Sequence, residues 1–367
     1  MIGLKEIGRR KLQFALIALV VTLISYLVLM INGLGIGLNK QAGSAVLQLD
    51  ADGIAYSSSS GLSVIRSELS SQAVADVASL PGVSASSPLG YTSANTKRPN
   101  GDIVAVALLG YVPGQLGEPR VTFGRPLSQA DRMGVLVDSK FLRSSSLSIG
   151  DTLTVVNRLQ TYDLKIVGEV NGGYFFFQPV VYVLLDSLRE VKYGSAGVGT
   201  PEASVVLVKG KNLVGVKTPG FEIVSKRTAF ANIEGVKGQQ QTVDALRLFG
   251  FLIGALVVGI FFYVLTLQKI QQVGTLKALG ASNAFLFGQM LVQVIAVILF
   301  GVLLSTAGAY ATYAFLSSLP KAIPISFTAQ TFVITSALFL GTGLIGLAFS
   351  LGRVGRVDPI IAIGQQQ

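Results

Sequence analysis

The sequence predicts a membrane α-helical protein with four transmembrane helices and an α+β extracytoplasmic domain inserted between helices 1 and 2. Three observations lead there. Half of the 367 residues are hydrophobic and only 13% are charged, about half the charged share of an ordinary soluble domain. The apolar residues gather into four long stretches almost free of charge, and the long segment between the first two is instead rich in short strand signals.

The four stretches are residues 14–32, 246–267, 285–310 and 331–351. Crossing a bilayer takes about 20 residues at about 1.5 Å each. A charge at the centre of such a helix costs at least about 2.5 kcal/mol, so the scarcity of charge is itself the signal. The helices are therefore set at 13–33, 246–267, 284–312 and 331–351. A cytoplasmic N-terminal segment at 1–12, an ectodomain at 34–245, a cytoplasmic connection at 268–283, an outer loop at 313–330 and a cytoplasmic tail at 352–367 complete the chain.

Orientation follows from the basic residues. Lys5, Arg9, Arg10 and Lys11 precede the first helix, Lys269 and Lys277 lie between the second and third, and Arg353 and Arg356 follow the fourth. These segments are expected inside, giving a multi-pass protein of the plasma (inner) membrane with both termini cytoplasmic. Residues 34–245 hold 19 basic and 17 acidic side chains, so nearly all of the net charge of +10 lies elsewhere. The basicity marks topology and not a nucleic-acid partner. A cleaved signal peptide is the rival reading of the first stretch, which is long for the usual apolar core of about 7 to 15 residues.

The inserted segment starts polar at residues 43–71. A helix signal at 72–80 ends at Pro81 and Gly82, and strand signals follow at 103–109, 134–137, 152–156, 162–167, 179–184 and 204–208. The aromatic run Tyr174, Phe175, Phe176 and Phe177 reads either as a docking tip or as a buried strand or hairpin. The spaced glycines at 33–37 and 194–199 lack the strand-to-helix context of a dinucleotide site and read as loop or helix-end glycines.

Missing residue types remove whole chemistries. The chain has no Cys and no His, so there is no disulfide, thiol nucleophile, imidazole base or ordinary zinc site. A Ser–Lys pair stays formally open, but no glycine-x-serine-x-glycine elbow occurs and Ser57 to Ser60 reads as polar loop. No phosphate-cradling glycine-lysine loop occurs, so this chain cannot hold ATP phosphates in the usual way. No enzyme activity and no intrinsic cofactor are expected of this one.

The second connection reads Gln271, Gln272, Val273, Gly274, Thr275, Leu276, Lys277, Ala278, Leu279, Gly280, Ala281, Ser282. This resembles the signature of the MacB/FtsX-type ABC transporter permease family: arginine-glutamate-isoleucine-glycine, two variable residues, arginine-alanine, then a glycine-alanine turn. Gln272 stands where that family has an acid and Lys277 where it has an arginine. Residues 4–12 resemble the family's amphipathic N-terminal helix, and Asp358, Pro359, Ile360, Ile361 and Ala362 its C-terminal proline motif. Residues 123–127, 134–141, 147–154 and 162–170 follow the order of its extracytoplasmic core domain, with Gly150 and Asp151 at the glycine-aspartate turn.

The resemblance implies a permease homodimer working with two copies of an ABC ATPase subunit that binds ATP-Mg, coupled through Val273, Gly274, Leu276, Lys277, Ala278, Leu279 and Gly280. It implies mechanotransmission: ATP binding moves the coupling segment, and the helices carry that movement to the ectodomains. The signature variants look most like the haem-exporting branch, related to the DevC-type exporters, which makes haem the expected cargo. Tyr26 and Met30 lie four residues apart on one helical face. With no His or Cys, a haem iron could take Met or Tyr as its protein ligand, and Met30 is the candidate metal ligand, with Phe249 for ring packing and Arg247 for a propionate. Helix packing or lipid contact is the alternative role for Tyr26 and Met30, and interfacial anchoring for Phe249 and Arg247. Two other functions remain open: export of another amphiphile (lipid, peptide or antibiotic), or FtsX-like regulation of an envelope enzyme without transport.

Overall fold

A computed structural model describes residues 11–99, 101–194, 199–268, 274–276, 279–318 and 323–354. The proline motif and nearly all of the expected amphipathic helix lie outside the described residues. In chain order the elements are α1 (Lys11–Gln48), β1 (Gly53–Ser57), α2 (Ser71–Ala78), β2 (Val83–Lys97), β3 (Ile103–Tyr111), β4 (Val121–Gly124), β5 (Gly134–Asp138) and α3 (Ser139–Ser145). Then come β6 (Thr152–Asn157), β7 (Gln160–Val170), β8 (Tyr174–Phe175), β9 (Gln178–Leu184), α4 (Leu185–Tyr193), β10 (Val205–Gly210), β11 (Phe221–Ser225), α5 (Lys226–Ala231), α6 (Val236–Gln268), α7 (Asn283–Ser317) and α8 (Ala329–Val354). Residues Leu38–Gln240 form one compact unit, and the chain up to Gly37 together with that from Gln241 forms the other.

Within the helical unit, α1 and α6 run antiparallel. Gln13 donates to Gln268 at one end, Ile24 faces Gly254 and Ile31 faces Gly250 in the middle, and Arg247 packs on Gly35 at the other. α7 runs parallel to α1, with Gly301 against Val21 and Gly308 against Tyr26, and α8 returns antiparallel, with Gly343 against Ile298. Small residues at these crossings let apolar helices approach closely where no water drives them together. Val21, Leu286, Val294, Ile298 and Phe339 are among the residues buried where they meet.

Two helix boundaries differ from expectation. α1 continues to Gln48 and not 33, and α6 begins at Val236 and not 246. Hydropathy finds the apolar core of a helix, whereas the hydrogen-bond ladder continues through polar residues of good helix propensity such as Gln and Lys. Gly33, Gly35 and Gly37 are accordingly helical, not loop or end glycines. A Cβ at Gly37 would lie 1.6 Å from the Pro324 carbonyl oxygen, so that glycine serves close packing. Lys11–Gln48, Val236–Phe261 and Ala284–Ser317 are long and apolar enough to cross a membrane, and Ala329–Ile345 is a shorter apolar helix.

In the other unit β2 pairs with β3, β3 with β9, β9 with β5, β5 with β7, β7 with β6, and β6 back to β2, so these strands close on themselves. Val106, Leu108, Val135, Val137, Leu153, Leu164, Ile166, Val181 and Val183 fill the interior. The intervening Ala107, Leu109, Tyr111, Val180, Tyr182 and Leu184 face a second core shared with the end of α1 and with Ile54, Tyr56 and Leu207. Burial on both faces explains why β3 and β9 are continuously apolar. The first half of β2 leaves the closed sheet to pair with β10, which continues to β1 and β11, and α2 covers that extension. All six expected strands are present. At the expected glycine-aspartate turn, the Gly150 amide donates to Ile166 (2.8 Å) and the Ile166 amide to Asp151 (2.9 Å).

Candidate functional site

Three places combine special geometry with residues singled out by sequence. The first is the short connection between α6 and α7. Gly274, Thr275 and Leu276 form a helical turn, the Leu279 amide donates to Thr275 (3.1 Å), and the Ala281 amide reaches back to Leu276 (2.9 Å). Gly280 closes the turn at φ +90°, a conformation that side chains resist. Ser282 then caps α7 by accepting the Phe285 amide (3.2 Å). Leu276 packs inward, while Leu279 is 79% exposed. Val273, Lys277 and Ala278 lie outside the described residues.

The second place is the opposite end of the helical unit. The Tyr26 hydroxyl shares a 2.9 Å hydrogen bond with Thr312 of α7. Tyr310 stacks on Phe332 at 5.4 Å and 16°, and Phe327 lies within 6.2 Å of Tyr310, Tyr313 and Phe332. Phe327 also seats against Gly33, whose carbonyl accepts the Ser326 amide (2.9 Å). Arg247 pairs with Asp244 at 2.9 Å, and its Nε is buried without a partner. Met30 is half-buried, and Phe249 is 61% exposed. No hydrogen bond, ion pair or ring contact joins Tyr26, Met30, Phe249 and Arg247 to one another among the described residues.

The third place is the aromatic run, and the structure makes it a hairpin. Tyr174 and Phe175 pair with Pro179 and Gln178, while Phe176 and Phe177 form the turn at φ +50° and +62°. The turn grips the end of α1. The amides of Phe176 and Phe177 donate to Ala42 and Gln41 (both 2.9 Å), just before Gly43 interrupts the helical geometry. The Tyr174 amide donates to Ser44 Oγ (3.0 Å) and the Gly173 amide to Asp138 (3.1 Å). Asp138 also caps α3 through the Lys140 amide. Phe175 is buried edge-on to Tyr91 at 5.0 Å, and burial pushes the Tyr91 hydroxyl up to about 12. Of the two readings of this run, the hairpin holds, with Phe177 alone substantially exposed at 42%.

Residues 246–359 match the family model described as FtsX-like permease C-terminal. The chain carries an FtsX-like permease domain. It is 25% identical, over 98% of both chains, to a Staphylococcus haemolyticus protein provisionally named hemin transport system permease protein HrtB. It is 24% identical to an uncharacterised ABC transporter permease of Mycobacterium tuberculosis, over 99% of this chain and 98% of that one. Among solved structures, the periplasmic region of MacB from Actinobacillus actinomycetemcomitans covers 51% of this chain and 94% of its own, with 14% identity and a TM-score of 0.34.

The FtsX-like permease domain thus contains the turn bearing Leu279 and all four rings of the aromatic cluster. Tyr310, Tyr313, Phe327 and Phe332 were absent from the sequence candidates. Tyr310 and Tyr313 share a helical face, but their partners come from the segment before α8 and from its first turn, and only the folded chain brings them together. The domain offers aromatic faces, and no group of His, Cys, Asp or Glu that could hold a metal ion occurs among the described residues.

Proposed function

We propose that this chain is the membrane permease subunit of a MacB-type ABC exporter and that its cargo is haem. The observation carrying the proposal is the end-to-end likeness to a relative named for hemin transport, which spans 98% of both chains. ATP is bound by a separate ATPase subunit, two of which act with two copies of this chain. The connection from Val273 to Gly280 receives the ATPase, with Leu279 as its apolar contact. The ATPase can shift the permease only if ATP favours one conformation of the assembly over the other. Four helices cross the plasma membrane with both termini inside and the Leu38–Gln240 unit outside, in keeping with the basic residues at the predicted inner ends.

Haem enters from the outer leaflet, where its flat apolar ring partitions. The aromatic faces of Tyr310, Tyr313, Phe327 and Phe332 suit stacking against a porphyrin, and Phe249 adds an exposed ring. Met30 supplies a thioether for iron and Arg247 a cation for a propionate. Tyr26 orients α7 through Thr312 and is not free to bind iron without breaking that bond. A haem titration of the detergent-purified permease, followed at the Soret band, tests the reading. Saturable binding weakened by Met30→Ala and by Tyr310→Ala is expected. Non-saturable partitioning, identical in all three proteins, would overturn the cargo, and saturable binding indifferent to both substitutions would overturn the site.

A further inference from the structure

A groove of about 410 Å³ runs along the helical unit between α1 and α7. The two helices touch where a Cβ on Gly301 would lie 2.7 Å from Val21. From there toward the start of α1, Phe14, Ala18 and Val297 form a buried floor. Ala15 and Ala296 line the groove with a single methyl each and do not fill it, and Phe300 stands at the end beside Gly301 with its ring 55% exposed. Apolar space left empty forfeits dispersion contacts on its lining. In a bilayer the material at hand to supply them is lipid hydrocarbon, which is as apolar as the side chains themselves.

The other end of the groove carries its one charge. Lys11 lines it there, is exposed, and makes no ion pair or hydrogen bond among the described residues. Among the described residues of the helical unit the only acid is Asp244. Asp244 is paired with Arg247 at 2.9 Å, and Arg247 packs on Gly35, which lies about 36 Å along α1 from Lys11 at about 1.5 Å per residue. The sequence just before Lys11 adds no compensation, since it sets Lys5, Arg9 and Arg10 against Glu6. An apolar slot with an uncompensated cation at one end is complementary to an amphiphile with an anionic head: the lysine stem follows the apolar wall and its ammonium reaches the headgroup layer. A zwitterionic head brings its own cation and gains less from that ammonium.

We propose that this groove seats an acyl chain of an anionic phospholipid whose phosphate is held by Lys11. The proposal needs only that α1 and α7 lie in the bilayer, and it stands whatever the cargo. The chain contains no Trp, so Phe300→Trp places a single emitter at the end of the groove. The full chain carrying that substitution is reconstituted in vesicles of brominated phosphatidylglycerol mixed with unbrominated phosphatidylcholine, and in the converse mixture, and quenching of the emitter gives the relative affinity of the two lipids. Phosphatidylglycerol is expected to be preferred about fivefold, the contribution of one lysine near an anionic headgroup. Adding Lys11→Gln should bring the preference below about twofold. Adding Ala15→Leu, which takes up the groove and keeps the charge, should do the same. Lys11 and Ala15 are both exposed, so both variants should fold, which circular dichroism checks. Equal quenching by the two lipids before either addition, or a preference that survives either one, would overturn the proposal.

Discussion

Replacing Phe177 by Gly and by Ala separates the strain in the hairpin turn from its packing. Phe177 sits at φ +62°, where a residue bearing a Cβ costs about 1–2 kcal/mol. Its ring is 42% exposed, so the buried remainder contributes about 1 kcal/mol of the roughly 1.5–3 kcal/mol available to a fully buried Phe. Alanine loses that contribution and keeps the strain, giving a variant about 1 kcal/mol less stable than the wild type. Glycine loses the same packing but relieves the strain, and stays within a few tenths of a kcal/mol of the wild type once its looser unfolded chain is included. The glycine variant should therefore exceed the alanine variant by about 1 kcal/mol, the reverse of their usual order. Urea unfolding of the Leu38–Gln240 unit measures this, and about 2–4 °C in melting temperature should accompany it. An alanine variant as stable as the glycine variant would refute the assignment of strain to this turn.

Four other substitutions probe the remaining contacts. Gly37→Ala places a Cβ 1.6 Å from the Pro324 oxygen and should cost about 1–3 kcal/mol, whereas Gly341→Ala, which meets open space, should leave the melting temperature in detergent unchanged or slightly raised. The Arg125 guanidinium and the Ser128 amide and hydroxyl hold the Asp131 carboxyl well below its usual value of 3.8. Its contribution is thus complete above about pH 4 and fades as pH falls toward the depressed value, so Asp131→Asn should lower the melting temperature at pH 7 and narrow its gap from the wild type by pH 2. Leu279→Asp alters a 79% exposed side chain, and should leave the permease folded while abolishing co-purification with its ATPase; retained co-purification would place the contact elsewhere.

The parts of this fold that hydropathy and strand alternation report are those whose energy is local. β3 and β9 announce themselves because both of their faces are buried, leaving unbroken apolar runs. β2 does not. Its sequence VSASSPLGYTSANTK carries one exposed edge of residues and serves two sheets in succession, so neither composition nor period marks it. β1, β11 and β4 are short strands completed by distant partners, and were equally hidden. The candidate site divides the same way. Gly280 could be placed because a glycine after a helical turn has a backbone reason, but the ring cluster around Phe327 needs two segments to meet, and Tyr26 proves to be engaged by a threonine far along the chain.

The hairpin and the break at Gly43 together explain how a helix end can act on a sheet. A helix that simply stopped at a loop would lose any axial displacement in the loop's own flexibility. Here the carbonyls of Gln41 and Ala42 are held by the amides of Phe177 and Phe176. Ser44 holds the Tyr174 amide, and a Cβ on Gly43 would collide with Ile233 at 2.4 Å. The hairpin is continuous with β9, which lies between β3 and β5 in the closed sheet. Residues 41–44 are therefore tied through the hairpin to a strand in the middle of that sheet. Strained turn residues persist only where surrounding contacts over-determine them, and this turn has such contacts on the helix, on Asp138 and on Tyr91. The contacts that over-determine this strained turn are thus the same ones that join residues 41–44 to β9.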